Sequence, residues 1–147
     1  MAFFKFFKAA PRPRKIYLRP QGEHYHLEEI FKRVNADYFE GKLDLKITWF
    51  QRRRELPQRR IVLGSYHFRT GLIKVNNYLD QAHIPEYFVT YIVYHETLHH
   101  LFRPIKGKRG KRSIHHALFK EHEKRFKEYD RAMAFRKEIR KDLFQLH

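Results

Sequence analysis

The sequence predicts an α+β fold, in which a short sheet of about three strands packs on a central helix and flanking helices. Residues 27–38 have apolar side chains at helical spacing, and residues 43–75 contain strand-like stretches. The chain after Pro85 contains helix-sized stretches. The 147 residues are 42% hydrophobic and 16% aromatic, which is enough material for one domain with a core. We expect an N-terminal Phe/Lys-rich segment with a proline linker over residues 1–20 and a single domain over residues 21–147.

The first helix and the first strand follow from hydrophobic periodicity. Apolar residues at helical spacing run from Leu27 to Tyr38, and Gly41 stands where a helix C-cap is expected. Residues 43–49 then alternate between apolar and polar side chains, which is typical of a half-buried strand. Residues 51–60 are too charged for a core and are predicted to form a loop.

The next stretches predict a pair of strands and then two helical regions. Residues 61–75 contain two strand-like stretches joined by a tight glycine turn. The stretch between Pro85 and Pro104 is helix-sized, and proline suits the first turn of a helix. Ser113 is the predicted N-cap of a last helical region that reaches about Leu143.

The composition of the chain limits which partners it can bind and which kinds of chemistry it can perform. The formal net charge of +16 favours polyanionic partners such as nucleic acid, an anionic membrane surface or an acidic protein. The absence of cysteine excludes disulfides, thiolate zinc sites and cysteine nucleophiles. No apolar run reaches the length of a membrane span, and the N-terminal stretch lacks the long apolar core of a secretory signal. We expect a cytoplasmic monomer, with association with a nucleoid or nucleus as an alternative location.

Residues 93–102, VYHETLHHLF, contain the spacing His-Glu-x-x-His. On a helix, His95 and His99 project within about 40° of each other, one turn apart, so both imidazoles can reach one zinc ion. Glu96 lies about 100° further round, where a carboxylate can act as general base on an attacking water. Both histidines fall on the apolar stripe of the helix, which favours a metal site over two structural histidines, whereas His100 points elsewhere.

A catalytic zinc usually takes three protein ligands and leaves a fourth position for water. The candidates for the third ligand are His115, His116, His122, Glu121 and Glu123. Geometry favours His115, because it stands at the predicted helix start, one turn before Phe119. Anchoring Phe119 in the core would turn His115 inward as well.

The arrangement of these motifs resembles the SprT-like zinc metallopeptidase domain over about residues 27–126. The resemblance includes IFKRVNADYFEGKL, the strand ITW, RTGLIKVN, HETLHH, and HHALF, which is similar to the family's His-Gly-x-x-Phe segment. It implies a zincin-like fold, one zinc ion per chain and His115 as the third ligand. The family's glycine is His116 here, and its frequent cysteine zinc ribbon is missing. A related branch of small proteases uses a glutamate as third ligand, which keeps Glu121 and Glu123 open.

We therefore expect a zinc-dependent metalloendopeptidase that acts on protein or peptide substrates, with Glu96 as general base. Tyr66, His67 and Arg69 are candidates to stabilise the oxyanion, and the sequence does not choose among them. The alternative is a basic nucleic-acid-binding module with a structural or vestigial zinc site.

The loop between the second and third predicted ligands is strongly basic. Its predicted phosphate-binding residues are Lys106, Lys108, Arg109, Lys111 and Arg112. The resemblance supports DNA-associated substrates, since Spartan-like family members cleave proteins attached to DNA. The alternative is a solvated basic loop.

Overall fold

A computed structural model describes residues 15–51 and 62–145, with side chains to residue 140. The Phe/Lys-rich start of the predicted N-terminal segment and almost all of the predicted basic loop at 51–60 lie outside the described residues. Within them, the helices are α1 (Leu27–Phe39), α2 (Glu86–Leu101), α3 (Ala117–Glu123) and α4 (Tyr129–Gln145). The strands are β1 (Lys46–Phe50), β2 (Gly64–His67), β3 (Leu72–Asn76), β4 (Ile105–Lys106) and β5 (Arg112–Ser113).

Strands β1, β2 and β3 form one sheet with β3 in the centre. Strand β1 runs parallel to β3, and β2 runs antiparallel to it. The turn between β2 and β3 closes at Gly71, whose φ of 61° is a left-handed conformation that favours glycine. The predicted pair of strands joined by a glycine turn and the predicted α+β class with a three-stranded sheet are therefore confirmed.

Helix α2 forms the centre of the core. It begins directly after Pro85, which is its N-cap, and ends at Leu101, as the prolines predict. Because α1, α4 and the sheet all pack against it, residues on almost every side of α2 are buried. None of the helices in the described part of the chain is long and apolar enough to cross a membrane.

The first strand is shorter than its alternation predicted. It starts at Lys46, and Thr48 on the predicted polar side is only 6% exposed. The Thr48 hydroxyl accepts a hydrogen bond of 2.8 Å from the backbone N–H of Arg19, and Trp49 N–H donates to the Arg19 carbonyl at 3.1 Å. Arg19 therefore lies at the free edge of β1 and bonds to a side chain that the pattern placed in solvent.

The last helical region also differs from the prediction. Ser113 is not a helix cap; it lies in β5 and pairs with Ile105 of β4. This hairpin occupies the residues that the prediction gave to the helix start, so α3 begins only at Ala117, with His116 as its N-cap. Phe126, 5% exposed, lies between α3 and α4, so the predicted continuous helix is two helices.

Candidate metal centre

The imidazoles of His95, His99 and His115 converge between α2 and the start of α3. One nitrogen of each ring lies within 4.8 Å of the corresponding nitrogens of the other two rings. Nε2 of His115 and Nε2 of His99 are 3.2 Å apart. Three imidazole nitrogens at these separations are compatible with one shared metal ion.

Phe119 forms the floor beneath the three rings. It is fully buried, and its ring centroid lies 4.6 Å from that of His99 and 5.0 Å from that of His115. The contact between Phe119 and His115 agrees with the expected anchoring. The expected reason was wrong, however, because His115 precedes α3 and is not one helical turn from Phe119.

The other candidates for the third ligand make different contacts. The Nδ1 atom of His116 caps α3 by accepting a hydrogen bond from the backbone N–H of Phe119. The ring of His122 packs against Phe102, with 4.5 Å between centroids. Glu121 forms an exposed ion pair with Arg125. His115 is therefore the candidate that lies with the two histidines of α2, and the other three do not.

Glu123 contacts the cluster through Nδ1 of His95. Its Oε2 lies 2.7 Å from Nδ1 of His95, and both side chains are mostly buried, at 13% and 16% exposure. Burial by itself raises the pKa of the Glu123 carboxyl, but the hydrogen bond and charge of His95 outweigh it and hold this pKa below its usual range. When Nδ1–H donates to this carboxylate, Nε2 of His95 keeps its lone pair for a cation.

The electrostatic environment keeps the other two rings neutral. Burial first, and then the charges of His95 and His115, lower the pKa of His99 to about 4. Burial and the charge of His95 also lower the pKa of His115. Both shifts favour the unprotonated ring, which is the form that binds a metal ion.

Glu96 lies beside the cluster and is 6% exposed. Burial raises the pKa of its carboxyl to about 7, although the charge of His95 opposes the shift. Space for this side chain depends on Gly64 of β2: a Cβ there would stand 2.9 Å from Glu96 Oε1 and 2.9 Å from Ile92 Cγ2. Sequence reasoning missed Gly64, although a glycine inside a strand is a signal of close approach by another group.

The three residues that could stabilise the oxyanion lie in different places: on either face of the sheet and in the turn after β2. The Tyr66 hydroxyl lies 2.7 Å from Nδ1 of His100, so this residue is beside the C-terminal half of α2. His67, the next residue of the strand, is exposed and projects to the other face, and Arg69 is exposed in the following turn.

The predicted phosphate-binding residues all belong to the hairpin that joins α2 to His115. Each of them is exposed: Lys106, Lys108, Arg109, Lys111 and Arg112. The hairpin follows α2 in the chain and ends at Ser113, two residues before His115.

No protein-family model matches this chain, and no curated protein is significantly similar to it in sequence. Among solved structures, it is similar to the crystal structure of the metallopeptidase zymogen of Methanocaldococcus jannaschii, jannalysin. The TM-score is 0.54 at 16% sequence identity, and the match covers 79% of this chain and 95% of that chain. At this identity the similarity shows the fold alone. The chain therefore has the α+β fold of a small zincin-like domain, as its sequence predicted.

Proposed function

We propose that this protein is a zinc-dependent endopeptidase. The observation that carries the proposal is the convergence of His95, His99 and His115 beside the buried carboxyl group of Glu96. Three imidazoles are a common ligand set of catalytic zinc, and they leave a coordination position for water or substrate. The fold similarity to a metallopeptidase zymogen supports the same reading.

The three histidines would hold the ion, and zinc bound there supplies a Lewis acid for a peptide carbonyl and an attacking water. Glu123 holds His95 in the tautomer that presents Nε2. Glu96 accepts the proton of the water and returns it to the leaving amine. A carboxyl group can serve in both directions of this transfer, and burial of Glu96 raises its pKa in the metal-free protein.

A structural zinc site is the main alternative. Structural sites are closed by four protein ligands, whereas three ligands converge among the described residues here. A structural site also has no need of a carboxyl group held beside the ion in a costly buried position. The Glu96 side chain therefore favours a catalytic zinc site over a structural one.

The test measures zinc content and proteolysis of an unfolded protein substrate together. Glu96→Gln should keep about one zinc per chain and lose proteolysis, whereas His95→Ala and His99→Ala should lose both. Glu121→Gln is the matched control, because this glutamate pairs only at the surface with Arg125. Full proteolysis by Glu96→Gln would overturn the mechanism, and a wild-type protein without zinc would overturn the metal site.

We propose further that the substrates are proteins associated with DNA. The basic hairpin that precedes His115 in the chain and the resemblance to the SprT-like domain support this proposal. Neutralising the hairpin residues should weaken DNA binding and flatten its dependence on salt, because fewer counterions are released, while zinc content stays unchanged. Equal salt slopes for the neutralised and wild-type proteins would show that the hairpin makes no DNA contact.

A further inference from the structure

Tyr91 lies one helical turn before His95 on α2, on the same side of the helix. It is 1% exposed, and its hydroxyl group is buried together with its ring. In the described part of the chain, no donor or acceptor lies within hydrogen-bonding geometry of this hydroxyl. An unpaired buried hydroxyl lowers stability, and phenylalanine would fill the same space without that loss. The hydroxyl therefore needs an explanation other than packing.

The ring contacts of Tyr91 place it beside the segment that carries Glu123. Its ring centroid lies 6.0 Å from that of His95 and 5.8 Å from that of Phe126, which follows Glu123 by three residues. The ring of Tyr129 lies 6.4 Å away. Burial first, and then the charge of Glu123, raise the pKa of the Tyr91 hydroxyl, so this carboxylate is close enough to act on it.

The Glu123 carboxylate can accept a second donor. Its Oε2 lies 2.7 Å from Nδ1 of His95. An ionised carboxylate has about four acceptor positions on its two oxygens, so one bond to His95 leaves room for another. A carboxylate held through one oxygen can still rotate about its last carbon–carbon bond, whereas a donor to the other oxygen fixes its plane. A phenol hydroxyl is a donor of this kind.

We propose that Tyr91 is a positioning residue of the candidate metal centre, whose hydroxyl donates to the Glu123 carboxylate and holds it against His95. The inference rests on the zinc site proposed above. Two donors, the His95 Nδ1–H and the Tyr91 O–H, then fix the carboxylate, and the carboxylate fixes the ring that presents Nε2 to the cluster. Tyr91 is not a ligand, so its effect on metal affinity passes through Glu123.

Tyr91→Phe keeps the ring and removes only the hydroxyl. Zinc affinity, measured by competition with a chelator, should fall about threefold to tenfold. The loss is smaller than that expected for Glu123→Gln, because Tyr91 is one interaction further from the ion. The metal-free variant should unfold at the same urea concentration as wild type or at a higher one, because an unpaired hydroxyl leaves the core. Unchanged zinc affinity would mean that Tyr91 only packs the core, and it would overturn the proposal.

Tyr25→Phe is the matched control. The Tyr25 hydroxyl donates to the carbonyl of Ile84, before the start of α2. This variant loses a hydrogen bond, so it should unfold at a lower urea concentration and keep wild-type zinc affinity. The two variants are thus expected to show opposite patterns, which excludes a general loss of stability as the cause of weaker zinc binding.

A double-mutant cycle tests whether Tyr91 acts through Glu123. In a Glu123→Ala protein, Tyr91→Phe should cause no further loss of zinc affinity, because the carboxylate that it holds is gone. The same cycle is measured by urea unfolding of the metal-free protein, where the two changes should also be non-additive. Additive effects in either measurement would overturn the proposal. A wild-type protein without zinc would overturn the proposed function instead, and the unfolding cycle would still decide the role of Tyr91.

Discussion

Replacing Gly64 by alanine is the sharpest test of how the fold positions Glu96. The added Cβ would stand 2.9 Å from Glu96 Oε1, whereas ordinary contacts begin at 3.4 Å, so the carboxyl group must move by about 0.5 Å. The same Cβ would stand 2.9 Å from Ile92 Cγ2, so two side chains of α2 must adjust. Overpacking of this kind typically costs about 1–3 kcal/mol of stability.

The expected effect on catalysis follows from the same displacement. A misplacement of about 1 Å can cost about 100-fold in rate, so a shift of half that size should lower kcat about tenfold. Zinc content should remain at the wild-type level, because the atoms nearest to the added Cβ belong to Glu96 and Ile92 and not to the three histidines. The assay is steady-state cleavage of an unfolded protein substrate, with urea unfolding of the same preparation.

Gly71→Ala is the matched control for this prediction. Gly71 has a φ of 61°, so alanine there costs about 1–2 kcal/mol of stability through backbone strain. Its nearest neighbour is Leu45 Cδ2 at 3.6 Å, far from the carboxyl group of Glu96. A stable Gly64→Ala protein with wild-type kcat would refute the idea that this glycine sets the position of Glu96.

Three further predictions concern the ligands and the buried carboxyl group. His115→Ala should lose zinc and His116→Ala should retain it, as measured by metal analysis after dialysis; the reverse result would contradict the ligand assignment. Glu123→Gln should weaken zinc affinity about 10- to 100-fold, while Glu121→Gln leaves it unchanged, as measured by competition with a chelator. In the metal-free protein, the raised pKa of Glu96 lowers stability as pH rises from about 4.5 to about 7, because the ionised form is disfavoured in the folded state. Glu96→Gln should therefore raise the free energy of unfolding by up to about 3 kcal/mol at pH 8 and change it little at pH 4; equal effects at both pH values would contradict this reason.

Local spacing was enough to predict the first half of the candidate site. His95, Glu96 and His99 belong to one helix, and the geometry of an α-helix fixes their relative directions whatever surrounds them. Pro85 and Pro104 marked the helix ends because proline restricts backbone conformation at its own position and the preceding one. The strands around Gly71 were predictable for the same reason, since their signals lie within a few residues.

Contacts between distant parts of the chain were decided only by the tertiary structure. The hairpin pairing of Ile105 with Ser113 removed the predicted helix start, yet it delivered His115 to the cluster. Glu123, which the sequence offered only as a ligand, instead meets the far side of the His95 ring, because α3 packs across α2. The sequence determined which groups can bind and transfer protons, since that is a property of each side chain and its neighbours on a helix. Packing between elements determined which of these groups meet, because distances across a core depend on every element in it.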